Sequence, residues 1–195
     1  MKEKFNTLIF SNIRTNKFKY IVILLVLLSG LITGSFYATK SYIRTPNITL
    51  TIATIKSNLL FTDVFIKNLR PFLFIWISSA HICLVPINYV EVFSKGFGIG
   101  YTVAYFSLLY KINGFVISFL SLVVQNMLAL PTLLIFSVFQ LNISINKHRF
   151  NKSKYSVTKH NFYFVLCTIF IVTLCSTADV YIVPDIVTFF CEKWL

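Results

Sequence analysis

The feature that most limits how this chain can fold is a series of continuous apolar runs set between short segments rich in Lys and Arg. A half-buried strand alternates apolar and polar side chains, and these runs do not. In lipid, a backbone must satisfy each N–H and C=O within the protein, so a spanning segment is a helix or part of a closed barrel. Barrel strands also alternate, which leaves helices. The expected fold is all-α, a polytopic helical membrane protein with about five transmembrane helices in a single integral membrane domain covering residues 1–195. The expected spans are 20–37, 71–93, 96–113, 115–141 and 162–183.

Composition argues against a soluble globule. The chain is 56% hydrophobic and only 12% charged, where soluble domains carry about 25% charged residues. Its formal net charge of +12 does not point to nucleic acid, because the basic residues flank apolar runs instead of forming a patch on a solvated fold. There they orient the chain in the bilayer and attract anionic membrane lipids. Cys83, Cys167 and Cys175 lie within apolar runs and Cys191 near the end, with spacings of neither a disulfide framework nor a metal site.

Lys2, Lys4, Arg14, Lys17 and Lys19 precede the first run against a single Glu3, which predicts a cytoplasmic amino terminus. The run exceeds a signal-peptide core and no cleavage signal follows it, so an uncleaved span is expected. Within it Gly30, Gly34 and Ala38 fall four apart, a stripe suited to close helix packing. Residues 39–70 read as an extracytoplasmic loop, in which Ile52, Ile55, Leu59, Ile66 and Leu69 keep the spacing of a surface-lying helix. Pro71 is expected to open the second span, whose interior places Ser78, His81 and Asn88 on one face. His81 invites a proton-relay reading, but no second histidine or carboxylate stands at ligand spacing, and a hydrogen bond to a neighbouring helix is the favoured role. The basic loop 142–161 reads as cytoplasmic, which puts the tail from Pro184 to Leu195 outside together with 39–70. These two segments are the candidate partner contacts.

The densest pattern lies between Lys95 and Pro131. Gly96, Gly100 and Ala104 share one helical face, and beyond a turn expected at Asn113 and Gly114, Ser118, Ser121, Gln125, Ala129 and Thr132 share another. The two segments are expected to form a tightly packed central helical hairpin. Segment 96–113 is short, so a re-entrant hairpin stays open, whereas 115–141 is long and Pro131 supplies a reason to kink. Gln125 and Asn126, about 100° apart on a helix, read as hydrogen-bonding ties between helices.

No zinc-binding helix, nucleophile elbow, phosphate loop or dinucleotide fingerprint occurs. No catalytic, cofactor-binding or metal-binding residue is therefore assigned, and no enzyme activity is expected. Polar residues within spans leave open a permease-like subunit moving a small solute or lipid.

Lys95 and Gly96, then Gly100, Tyr101 and Thr102, then Asn113, Gly114, Gln125, Asn126 and Pro131 resemble the core signature of the stage II sporulation protein M family. Asp179, Tyr181 and Pro184 resemble that family's acidic-x-aromatic-x-x-Pro ending, with Asp where Glu is usual, and Val124 stands where a proline often precedes the Gln-Asn pair. The resemblance implies a non-enzymatic scaffold in the bacterial cytoplasmic membrane. By resemblance its partners are stage II sporulation proteins D and P, which remodel peptidoglycan at the septum while the mother-cell membrane engulfs the forespore. Lys95, Gly96, Gly100, Tyr101, Gln125, Asn126 and Pro131 are the expected packing core, and Asp179, Tyr181 and Pro184 the candidate terminal motif.

Overall fold

A computed structural model describes residues 17–44, 61–150 and 159–185, although the side chains of some positions within them, Gln125 among these, fall outside the description. Helix α1 is Lys17–Arg44 and α2 is Phe61–Ser78. After a 3-10 turn at Ile82–Leu84, Val85–Phe150 is helical apart from Lys111, which divides it into α3 (85–110) and α4 (112–150). Helix α5 is Lys159–Thr177 and passes into a π-helical turn, Ala178–Ile182. No strand occurs among the described residues.

Four stretches are long and apolar enough to cross a membrane: Lys17–Ile43, Ile82–Val116, Asn126–Ile145 and Val165–Asp185. Their surfaces fit lipid as the solvent. Trp76, Phe119, Met127, Leu128, Phe170 and Leu174 face outward, while Ser78, Asn88, Asn126, Ser137, Thr168 and Asp179 are buried. A water-soluble chain hides the first kind and exposes the second. This is an all-α polytopic membrane protein. Hydroxyls within the helices bond back onto carbonyls, as Thr33 does to Ser29 at 2.9 Å and Thr132 to Leu128 at 2.7 Å. That removes unpaired donors from an apolar environment.

The expected second span, 71–93, is not one helix. Pro71 lies inside α2 instead of opening it, and the helix stops at Ser78. Ser78 and Ser79 bond through their hydroxyls to the carbonyls of Ile75 and Trp76 at 2.6 and 2.7 Å, closing its last turn. Pro86 stands at the second position of α3, where its missing N–H is one the first helical turn does not need. Helix α2 is absent from the four apolar stretches because Asp63, Lys67 and Arg70 stand exposed along it. The expected loop 39–70 is shorter than its reading, since α1 continues to Arg44 and α2 begins at Phe61; 45–60, with Ile52, Ile55 and Leu59, lies outside the described residues. Likewise α4 reaches Phe150 and α5 starts at Lys159, within the expected loop 142–161.

Leu27 lies against Gly96 and Leu31 against Gly100, advancing four residues on both helices, so α1 and α3 run parallel. Asn88 and Ser137 are hydrogen-bonded on either side of Lys111, so α3 and α4 run antiparallel. All five helices meet in one core built from Ile23 and Leu27, Phe72 and Ile75, Val92, Leu133 and Phe136, and Val172. Phe72 and Phe136 hold its centre, with ring centroids 5.8 Å apart.

The hairpin reversal occurs at Lys111, with φ 54° and ψ −131°, and not at Gly114, whose φ is not positive. Gly114 serves close approach instead, since a Cβ there would come within 2.7 Å of the Phe106 carbonyl carbon. A side chain in the positive-φ region costs about 1–2 kcal/mol. Lys111→Gly is therefore expected to stabilise the protein by about 1 kcal/mol, read as a higher unfolding midpoint in detergent; an unchanged or lower midpoint would show that the reversal is not strained.

Candidate functional site

Gly96 and Gly100 do not face α4, the partner expected from the sequence. They face α1, whose Gly30 and Gly34 face α3 in return. A Cβ on Gly100 would lie 2.8 Å from the Leu31 carbonyl carbon, and one on Gly34 would lie 2.9 Å from the Tyr101 amide nitrogen. Two stripes of small residues interlock, and the backbones touch. The Ser35 hydroxyl adds a bond to the Gly100 carbonyl at 3.3 Å. Tyr37 closes one side of this seam, its ring 5.9 Å from Phe97 and 6.2 Å from Tyr101, and Tyr101 stacks on Tyr105 at 5.7 Å.

The α3–α4 seam depends on a different device. Asn88, fully buried, donates from Nδ2 to the Ser137 carbonyl at 3.0 Å and accepts from the Ser137 hydroxyl at 2.6 Å. At the far end of α4, Lys19 donates to Asn142 Oδ1 and ties α1 to it. Asn126, expected as an interhelical tie, instead bonds from Nδ2 to the Leu122 carbonyl of its own helix at 3.1 Å. Pro131 is exposed on α4, and the Gln125 side chain lies outside the described residues. His81 is not within a span face either. Exposed at the break between α2 and α3, it accepts at Nδ1 from the Cys83 amide at 3.3 Å and caps the 3-10 turn.

The residues best placed for function lie where α2, α3 and α5 meet. Asp179 is 5% exposed, and its Oδ2 accepts from Asn68 Nδ2 at 2.6 Å. The same amide group reaches the Ser176 hydroxyl at 3.2 Å. Asp179 Oδ1 is buried with no donor from the protein. Lys95 shares a cleft with Asn68, Phe72, Leu133 and Cys175 and lies within electrostatic reach of Asp179 and Lys67. The fold thus brings Lys95 of the central motif to Asp179 of the terminal motif.

Local sequence explains how Asp179 is aimed. Buried positions on α5 step from Val172 to Cys175, Ser176 and Asp179 at helical spacing, but the next is Pro184, five residues on. The π-turn absorbs the extra residue, leaving Tyr181 68% exposed beside buried Asp179 and Pro184. Single π-turns of this kind recur at functional sites. An ionisable group within a membrane segment is costly and marks a site in its own right. Neither Asn68 nor Ser176 is a sequence expectation; Asn68 sits among the charged residues of the segment read as an extracytoplasmic loop.

Among the described residues no group of three His, Cys, Asp or Glu side chains is arranged to hold a metal ion. What the site can do is hold charge and hydrogen bonds inside an apolar bundle. Compared with known proteins, the chain matches the family model described as Stage II sporulation protein M over residues 7–182. No curated protein and no solved structure matches it.

Proposed function

The chain belongs to the stage II sporulation protein M family, and from that membership we propose that it is a non-enzymatic membrane scaffold. It localises a peptidoglycan-degrading complex, formed with stage II sporulation proteins D and P, at the septum and engulfing membrane of a sporulating bacterium. The family match over residues 7–182 carries this reading. The polar contacts support it: Asn88 with Ser137, Lys19 with Asn142 and Asn68 with Asp179 each join two helices, as expected where rigidity is the product. In the same reading the amino terminus is cytoplasmic and the tail extracytoplasmic, on the side where wall hydrolases act. Time-lapse membrane imaging of a deletion strain carrying a tagged copy tests it. The tagged protein is expected to gather at the septum and the deletion to stall membrane migration, whereas normal engulfment without the gene would remove the scaffold role.

One observation favours a permease-like subunit: a buried carboxylate with an undonated oxygen beside a lysine-lined cleft. The readings part on Asp179→Asn. A scaffold keeps its activity in proportion to the folded, localised protein, while a permease loses activity with amount and localisation intact.

A further inference from the structure

We propose that the outward face of α2 is the docking surface for a transmembrane helix of another protein, one that brings a carboxylate to Arg70 in the middle of the bilayer. The proposal does not rest on the scaffold reading, since such a face would serve a permease subunit equally.

The height of Arg70 follows from the path of the chain. Helices α1 and α3 run parallel, so the chain between them returns to the side from which α1 set out. Helix α2 makes that return, and its 18 residues rise about 27 Å, close to the thickness of a hydrocarbon core. Its contacts fix its depth. Asn68 bonds to Ser176, and Phe72 packs on Phe136. Ser176 stands at the centre of the apolar stretch Val165–Asp185, and Phe136 at the centre of Asn126–Ile145. Arg70 falls between Asn68 and Phe72, about 13 Å from either end of α2, and so lies at mid-bilayer.

The neighbouring turns of α2 do not answer that charge. Arg70 is exposed, and the residues one turn away are Ile66, Lys67, Leu73 and Phe74, none of them acidic. Asp63 is two turns away and stands one turn from Lys67 instead. Asp179 is held on the opposite side by Asn68, which lies about 200° round the helix from Arg70. The guanidinium carbon of Arg70 sits 5.5 Å from the centroid of the Phe74 ring, which keeps the group along the helix instead of reaching for a headgroup.

A cation at that depth is costly against lipid tails, and such groups pair with other charges or face protein. The surface has the form of a helix seat: Ile66, Arg70, Leu73 and Ile77 are exposed at spacings of four, three and four, the pattern by which one helix packs along another. A second copy of this chain is the wrong occupant. Copies inserted in the same sense pair about an axis along the bilayer normal and share the same patch, so Arg70 would meet Arg70. Asp63, about 10 Å nearer the bilayer surface, is at the wrong depth to separate them. The complement is a helix with Glu or Asp at its midpoint and apolar residues a turn to either side.

The test uses the full chain in liposomes with a synthetic poly-leucine transmembrane peptide carrying a single Glu at its centre, and matched peptides with Gln or Lys in that place. Association is read by energy transfer between labels on peptide and protein. The Glu peptide is expected to bind several-fold more tightly than either of the others. Arg70→Gln is expected to remove that difference, and Arg70→Glu to move the preference to the Lys peptide. Equal binding of the Glu and Gln peptides by the wild-type chain would overturn the proposal, and so would an undiminished preference in Arg70→Gln. Energy transfer between two labelled populations of the chain alone, lost in Arg70→Gln, would also overturn it by giving the face to a second copy. The comparison of peptides on the wild-type chain needs no variant, so it decides even where a substituted chain fails to fold.

Discussion

Gly100→Leu is expected to reduce the protein recovered in folded, monodisperse form to a small fraction of wild type, while Gly98→Leu, two positions away, leaves it unchanged. A Cβ on Gly100 meets the Leu31 carbonyl carbon at 2.8 Å and its Cα at 2.9 Å, whereas one on Gly98 meets nothing within 4 Å. Overpacking a core usually costs about 1–3 kcal/mol because side chains can move aside. Here the obstacle is main chain, so α1 and α3 must separate along the whole seam, and the cost exceeds that range. Proteins have only about 5–15 kcal/mol in hand. Equal recovery of the two variants, measured by size-exclusion chromatography in mild detergent, would show that the seam is not tight.

Asn68→Leu should produce the next largest loss. It removes the donor to Asp179 Oδ2, a hydrogen bond to a charged group worth about 1.5–3 kcal/mol, and leaves the carboxylate undonated from α2. The informative measurement adds Asp179→Leu to the same protein. Replacing both partners by apolar groups is close to neutral when shape is kept, so the double variant should recover most of the lost unfolding midpoint. A double variant no more stable than Asn68→Leu would mean that Asn68 acts through packing and not through the acid.

The helical membrane fold was legible because continuous apolar runs have a single solution in lipid, and the small-residue stripes because spacing by four needs no knowledge of a partner. Which stripe meets which was not legible. Gly30, Gly34 and Ala38 offer the same surface as Gly96, Gly100 and Ala104, and only the parallel course of α1 and α3 brings the two together. The end of α2 was misread because Pro71 and Pro86 both suit a first turn. Pro71 is instead carried inside α2, and the break falls between Ser78 and Val85, just ahead of Pro86. Asp179 was visible from its motif, but its donor lies 111 residues earlier in the chain. Asp63, Lys67 and Arg70 gave the surroundings of Asn68 the look of a solvated segment, yet those three side chains point outward while Asn68 turns toward α5.

Parallel neighbours cannot be consecutive in a chain that crosses a membrane back and forth, and this sets an order on biosynthesis. Ser35 and Gly100, which meet across the α1–α3 seam, are 65 residues apart. At the usual pace of about 5–20 residues per second, α1 leaves the ribosome roughly 3–13 s before its partner. During that wait the groove at Gly30 and Gly34 is open in the bilayer to any passing helix with a small-residue face. Correct pairing is therefore a race between the arrival of α3 and encounter with a stranger, and slower translation or crowded insertion sites would favour the stranger.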